Sequence, residues 1–322
     1  MQVARRGVLA LGWVLAAALL GICVLRLTEL LDTSWEIAAI GVGPLVLPLA
    51  LPLGIGAIVR RRYLLTVASV AVLVCWSVWS GPDLWPFATP PAAVGPGLRI
   101  YDANVSQSNH DLREIGGEIV RDRPDVIVLE ELTPPALGSL RSTGALRPYH
   151  WSVVHTRPGP GGMGLWSRLP AYGLATWGVG EGQVEVDGWV RPPRGVPVRV
   201  DGVHVYAPAF GPDQPATWKQ QLTSVRTHLA AEPRPLVVAG DFNATWDMRP
   251  FQRIMGLGLS DAAVLEGHGW EMTWPRDQSF VVPYLRIDHV LVSRSLTVTS
   301  YSLGTGRGSD HRPLLVTVAR RA

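Results

Sequence analysis

The chain has 322 residues, 47% of them hydrophobic and 17% charged, with 29 Lys plus Arg against 26 Asp plus Glu. That is too long for one average domain, and two cysteines in such a length exclude a disulfide framework. No basic block of the kind that tracks a nucleic-acid backbone is present, which removes one argument for a nucleic-acid substrate without excluding one.

The apolar share is concentrated at the start. Gly7–Leu25, Ile37–Val59 and Tyr63–Ser80 are free of charge, and each approaches the length that crosses a hydrocarbon core of roughly 30 Å at about 1.5 Å per residue. A cleaved signal peptide accounts less well for the first stretch, because two more apolar runs follow it. Three transmembrane helices are therefore expected within residues 1–80. Arg5 and Arg6 precede the first and Arg60–Arg62 follow the second, whereas Arg26–Glu36 is acidic. The positive-inside rule puts both arginine groups in the cytoplasm, and everything after Ser80 outside the cell or in the periplasm. Pro44, Pro48 and Pro52 predict a kinked second helix. Residues 81–97, rich in Pro, Gly and Ala, read as a linker lifting residues 98–322 off the bilayer. Both cysteines, Cys23 and Cys75, fall in the expected spans. A metal site in the remainder must use carboxylate, amide, imidazole or water, which favours a hard cation.

From Leu98 the pattern is strand, helix, strand. Leu98–Val105 reads as a strand ending at Asn104, Asp111–Arg121 as a helix stopped by Pro124, and Asp125–Leu129 as a core strand ending in Glu130 and Glu131. Tyr149–His155, Met163–Trp166, Val184–Val190 and Val198–Tyr206 read as further strands. In the last of these His204 and Tyr206 share a face. Pro215–Ala231 is helical, with Trp218, Leu222, Val225 and Leu229 on one side. Leu236–Asn243, LVVAGDFN, is a buried strand broken by Gly240, with Asp241 and Asn243 pointing the same way if it stays extended. A helix near Met248–Met255 and strands Asp288–Ser293 and Pro313–Val318 complete the pattern. Many strands with few helices predict an α/β fold of two packed mixed sheets flanked by helices, a four-layer sandwich.

Taken alone, GDFN reads equally well as a turn. The repetition decides otherwise. Asn104, Glu131, His204, Asp241, Asn243, Asp288, Asp310 and His311 all end or interrupt strands. Ligands in open α/β sheets bind at such ends.

The Asn of YDANV, PDVIVLEEL, VHVYAP, GDFNAT, RIDHVLVS and SDHRPLLV resemble, in the same order, the motifs of the endonuclease/exonuclease/phosphatase superfamily, to which deoxyribonucleases, inositol polyphosphate 5-phosphatases and neutral sphingomyelinases belong. The spans resemble those of a membrane-anchored bacterial branch. The resemblance implies that Glu131 is the main metal-binding carboxylate, with Asn104 and Asp310 as further metal residues. Glu130 stands where the family has Gln. Asp241 would orient or deprotonate the attacking water, Asn243 would bind a phosphoryl oxygen, Asp288 would hold His311, and His204 matches the family's strand histidine, with Tyr206 a neighbouring claimant.

The residue types suit that chemistry. Mg²⁺, with Mn²⁺ as the alternative ion, takes oxygen ligands and neutralises phosphate charge. A carboxylate can align a water in line with the leaving group, and imidazolium stabilises developing charge. The expected function is a membrane-anchored, extracytoplasmic phosphodiesterase or phosphatase, with a non-catalytic scaffold on the same fold as the alternative. The expected partners are a phosphate-ester substrate, either nucleic acid or a phospholipid headgroup, and the lipid bilayer; no protein partner is inferred. Trp246, directly after GDFNAT, is expected to stack on a base or line a lipid-facing wall of the substrate site.

Overall fold

The computed structural model describes residues 2–29, 31–84, 91–209, 211, 213–276 and 281–322. The helices are α1 (Gln2–Thr28), α2 (Ser34–Gly41), α3 (Gly43–Val46), α4 (Ala50–Val59), α5 (Tyr63–Leu84), α6 (Arg113–Asp122), α7 (Pro134–Ser142), α8 (Gln214–Ala231), α9 (Arg249–Met255) and α10 (Ala262–Leu265). The strands are β1 (Ala93–Asn104), β2 (Val126–Glu130), β3 (Trp151–His155), β4 (Met163–Ser167), β5 (Ala171–Gly180), β6 (Gln183–Val190), β7 (Val198–His204), β8 (Leu236–Asp241), β9 (Leu259–Asp261), β10 (Asp288–Ser293), β11 (Leu296–Leu303) and β12 (Leu314–Arg321).

The strands form two six-stranded sheets, in the orders β11-β12-β1-β2-β4-β3 and β5-β6-β7-β8-β10-β9. Leu98, Ile100, Val126 and Val128 of the first sheet pack against Val200, Val237, Ala239 and Val290 of the second. The outer face of the first sheet buries Tyr101, Ile127 and Leu129 with Ile115, Ile119 and Leu140 of α6 and α7. That of the second buries Val203 and Val238 with Trp218, Leu222 and Phe251 of α8 and α9. The result is the expected helix–sheet–sheet–helix sandwich.

Each sheet holds one parallel pair. β1 runs parallel to β2 with Asn104 opposite Glu130, and β7 runs parallel to β8 with His204 opposite Asp241. Parallel neighbours bring their carboxyl ends to the same edge, so both pairs end together. Antiparallel β10 begins there, with Asp288 opposite Asp241.

Among the described residues, two helical segments are long and apolar enough to cross a membrane, Arg6–Thr28 and Tyr63–Gly81. The second expected span is broken: Ser34–Gly41 and Gly43–Val59 meet at a bend of 48° and count as a third span only if taken together. Pro44 and Pro48 each open a new helical piece, where the missing N–H costs nothing. Trp76 Nε1 donates to the Pro44 carbonyl at 2.9 Å, satisfying a group near the break.

Of residues 81–97, Gly81–Leu84 close α5, residues 85–90 lie outside the described part, and Ala93–Gly97 already belong to β1. The N-terminal helical region is also docked on the sandwich. Leu31, Ile37 and Ile40 join the core beneath α8 and α9. Arg26 Nε lies 3.6 Å from Asp247, Lys219 bonds Asp32 at 2.8 Å, and Arg253 pairs with Glu29.

Candidate active site

Period-two geometry builds the site. The face of each strand that fills the inter-sheet core ends in a polar residue at the common edge. Leu98 and Ile100 lead to Asp102 and Asn104, Val126 and Val128 to Glu130, Val198 and Val200 to His204, and Val237 and Ala239 to Asp241; in β10 Asp288 precedes Val290 and Val292. Glu131, one residue beyond Glu130, would turn away if the chain stayed extended. Its backbone is left-handed instead, at φ +53°, as is that of Asn243 at φ +47°. Such a conformation costs a non-glycine residue about 1–2 kcal/mol; at Glu131 it turns the side chain back toward the others, and Asn243 reaches Asp241 and the Val205 carbonyl from its own left-handed position. Gly240 has φ +145°, and a Cβ there would lie 1.9 Å from the Val203 carbonyl oxygen, so only glycine fits.

The polar groups meet in one network. Asn104 Nδ2 donates to Glu131 Oε1 at 3.2 Å and to Asp241 Oδ2 at 3.1 Å, while its Oδ1 accepts from the Ser106 amide. Glu131 Oε2 accepts from the Gln107 amide at 2.7 Å. Asp241 Oδ1 accepts from the Asn243 amide at 2.8 Å, and Asn243 Nδ2 donates to Asp241 Oδ2 and to the Val205 carbonyl. His311 Nδ1 lies 3.0 Å from both oxygens of Asp288, and its Nε2 lies 3.8 Å from Asp241. His204 Nε2 lies 3.7 Å from Glu131 and 3.9 Å from Asp241.

The two histidines differ electrostatically. Burial lowers the pKa of His204, opposed by Glu131. Gln183 Nε2 donates to its Nδ1 at 3.2 Å, which leaves the proton on Nε2, facing the carboxylates. Burial also disfavours charge on His311, but Asp288, Asp241 and Asp310 outweigh it and raise its pKa to about 10. Burial thus favours the neutral ring at His204, and the neighbouring carboxylates favour the charged ring at His311. Burial, then the neighbouring Asp288, push the Asp241 carboxyl up to about 8. Deeper still, burial holds Asp102 and Glu130 well above the ordinary carboxylate range.

Ligand atoms of Asp241, Asp288 and His311 all lie within 4.8 Å of one another. The carboxylates of Asp241 and Asp288, with those of Glu131 and Asp310, make an oxygen-rich donor set, to which His311, held charged, adds no lone pair. This is the chemistry that accepts a hard divalent cation.

A cavity of about 640 Å³ opens over this cluster, lined by Glu131, His204, Tyr206, Asp241, Asn243, Asp310 and His311 among others. Asp310 stands at its rim, its Oδ2 accepting from Trp274 Nε1 at 3.1 Å. Of the ten residues singled out from the sequence, Trp246 alone is neither in the network nor on this wall. The turn fixed by Thr245 Oγ1 donating to Asp247 at 2.6 Å carries it into a smaller cleft with Pro44, Leu45 and Trp270. Trp274, with Tyr206 and Tyr284, supplies the aromatic lining of the cavity instead.

The sequence reading assigns no role to Gln183, Gln107 or His289. His289 is on the opposite face of β10 from Asp288; it reaches the Ala244 carbonyl at 2.9 Å and Asp261 at 2.7 Å, fixing the loop after GDFN. Its place next to Asp288 in RIDHVLVS was the one available signal.

Residues 61–311 match the model of the Endonuclease/Exonuclease/phosphatase family. No curated protein matches. Solved structures with similar folds include humanized TDP2 of D. rerio, at 18% identity and TM-score 0.57 over 69% of this chain and 98% of that one. An endonuclease/exonuclease/phosphatase from Beutenbergia cavernae is 20% identical, with TM-score 0.55, over 71% of this chain and 72% of that one. The 3′ phosphatase NExo from Neisseria, solved with a product DNA hairpin, is 19% identical, with TM-score 0.53, over 68% and 98%.

Proposed function

Because the chain belongs to the endonuclease/exonuclease/phosphatase family, whose members are metal-dependent phosphoric ester hydrolases, we propose that it is a membrane-anchored enzyme that hydrolyses a phosphate ester outside the cytoplasm with the help of Mg²⁺ or Mn²⁺. The observation that carries this reading is the convergence of Asn104, Glu131, His204, Asp241, Asn243 and the Asp288–His311 pair at one strand edge, under one cavity.

Glu131, with Asp310 and the carboxylates beside them, would hold the ion, which would supply charge neutralisation for the phosphoryl oxygens. Asn104 presents its amide nitrogen to Glu131 and Asp241, so its main work is to orient both carboxylates. Asp241, held by the Asn243 amide and the Asn104 side chain, would orient a water and accept its proton, a role that requires the ionised carboxylate, which a cation beside it favours. His311, kept charged and aimed by Asp288, stabilises the charge that develops on the phosphoryl group. His204 and Asn243 contribute neutral donors.

In this reading the apolar piece Gly43–Val59 carries the second of three spans, α2 lies at its outer end against the sandwich, and Arg60–Arg62 face the cytoplasm. The catalytic domain then lies outside, on the side of the acidic loop it contacts through Asp32 and Glu29.

Turnover of a generic phosphodiester and a generic phosphomonoester by the purified full-length protein, with and without Mg²⁺ or Mn²⁺, tests the chemistry. Protease digestion of intact cells tests the location: the catalytic domain should be cut from outside, and protection until lysis would contradict the orientation.

A further inference from the structure

The cavity over the cluster has two unlike walls. One carries Glu131, His204, Asp241, Asn243 and His311. The other is built from the anchor, with Ile37, Ala38, Gly41 and Val42 of the bent second segment continuing into Met248 and Leu285. Val42 is one residue from the apolar piece Gly43–Val59, which leads away along the expected membrane path.

This wall is held in place. A Cβ on Gly41 would approach Met248 Cε to 3.2 Å, Ile37 and Ile40 are buried under α8 and α9, and Thr33 and Glu36 close α2 with a capping box. Ion pairs from Arg26, Glu29 and Asp32 to the sandwich flank it. Among the described residues, no Lys or Arg lines the cavity. A nucleic acid brings phosphates on either side of the one attacked, and these call for basic partners. A single phosphate head on an apolar chain does not.

We propose that α2 is the substrate-specificity wall of the site, and that the substrate is a lipid phosphate of the bilayer whose head meets the Asp241–His311 cluster while the start of its apolar chain lies along Ile37, Ala38, Gly41 and Val42. This rests on the hydrolase reading above and names its substrate class. The tether therefore serves recognition. The bend at Gly41–Gly43 brings the apolar wall of the site to the end of a membrane segment, and a lipid chain can pass from bilayer to cavity without crossing open water.

Direct binding tests this apart from turnover. Butyl and octyl phosphate are titrated by calorimetry into the full-length protein in nanodiscs, with empty nanodiscs as the partition blank. A fully buried methylene is worth about fourfold in affinity. Octyl phosphate should therefore bind at least about tenfold more tightly than butyl phosphate, even with half of its extra chain buried. Ala38→Trp, which fills the wall, should bring that ratio to below about threefold, whereas Ile55→Ser on the exposed face of α4 should keep it. Equal binding of the two chains, with turnover of the soluble esters intact, would overturn the lipid assignment alone. A preserved chain-length ratio without any divalent-ion-dependent turnover would overturn the hydrolase reading and the substrate assignment with it. A ratio unchanged in Ala38→Trp would remove α2 from the site.

Discussion

At the scale of single residues, the pair Asp288–His311 shows how burial and charge set a role. Burial alone would strip the proton from His311, yet three neighbouring carboxylates hold its pKa at about 10. Replacing it removes a positioned cation, and loss of one such stabiliser commonly costs about 10²–10³ in rate. His311→Ala and Asp241→Asn should each lower kcat on a generic ester by that factor while circular dichroism stays near wild type; His311→Ala, which leaves Asp288 buried without its partner, should also lower the thermal unfolding temperature. Gly240 is a different case. Its φ of +145° and the 1.9 Å approach to Val203 leave no room for a methyl. Gly240→Ala should cost at least about 2 kcal/mol, or prevent folding altogether, as read by thermal unfolding.

At the scale of elements, β10 serves two faces. Asp288 points into the site, and His289, with Arg286 just before the strand, grips Asp261 on β9. Burial would raise the Asp261 carboxyl, but Arg286 and His289 overcome it and hold it well below the usual carboxylate range. A depressed pKa stabilises the fold above the unfolded value of about 4 and is lost as pH falls toward the folded one. Asp261→Asn leaves Arg286 buried without its carboxylate partner and should destabilise by about 3–5 kcal/mol at pH 7. The gap between variant and wild type should narrow as denaturant titrations move below pH 4, and a constant gap would contradict this account. The contacts of the N-terminal helical region can be ranked in the same way. Arg26 and Asp247 are both nearly buried, whereas Glu29 pairs with exposed arginines. Arg26→Ala should therefore lower detergent-solubilised stability by about 3 kcal/mol, and Glu29→Ala by no more than about 1.

At the scale of the whole molecule, the sandwich and most of the site were legible because both rest on local rules. Period two aligned Asp241, His204 and Asp288 with the core-facing residues of their strands, and Gly240 marked the close approach. β11 escaped because a register shift between Val298 and Ser300 breaks its alternation. β5 escaped because its glycines and short run of apolar residues resemble a loop. α7 was hidden by Pro134, Pro135 and Gly138, although Thr133 caps it. The docking of the N-terminal helices could not be read at all, since Asp32 meets Lys219 and Glu29 meets Arg253 across nearly two hundred residues or more. The same distance hid the second wall of the cavity, so a segment that reads as a membrane span also lines the site. Trp246 looked like a site residue from its place after GDFNAT, but the Thr245–Asp247 turn carries it into the neighbouring cleft.

The central claim is that the Asn104–Glu131–Asp241–His311 cluster hydrolyses phosphate esters with a divalent ion. The most direct measurement is the initial rate of full-length wild type, Glu131→Ala, Asp241→Asn and His311→Ala on a generic phosphodiester and phosphomonoester, with Mg²⁺ or Mn²⁺ and with chelator. The account predicts turnover by wild type only with the ion, and a loss of about 10² or more in each folded variant. Wild-type rates in the folded His311→Ala and Asp241→Asn proteins, or turnover unaffected by chelator, would contradict it.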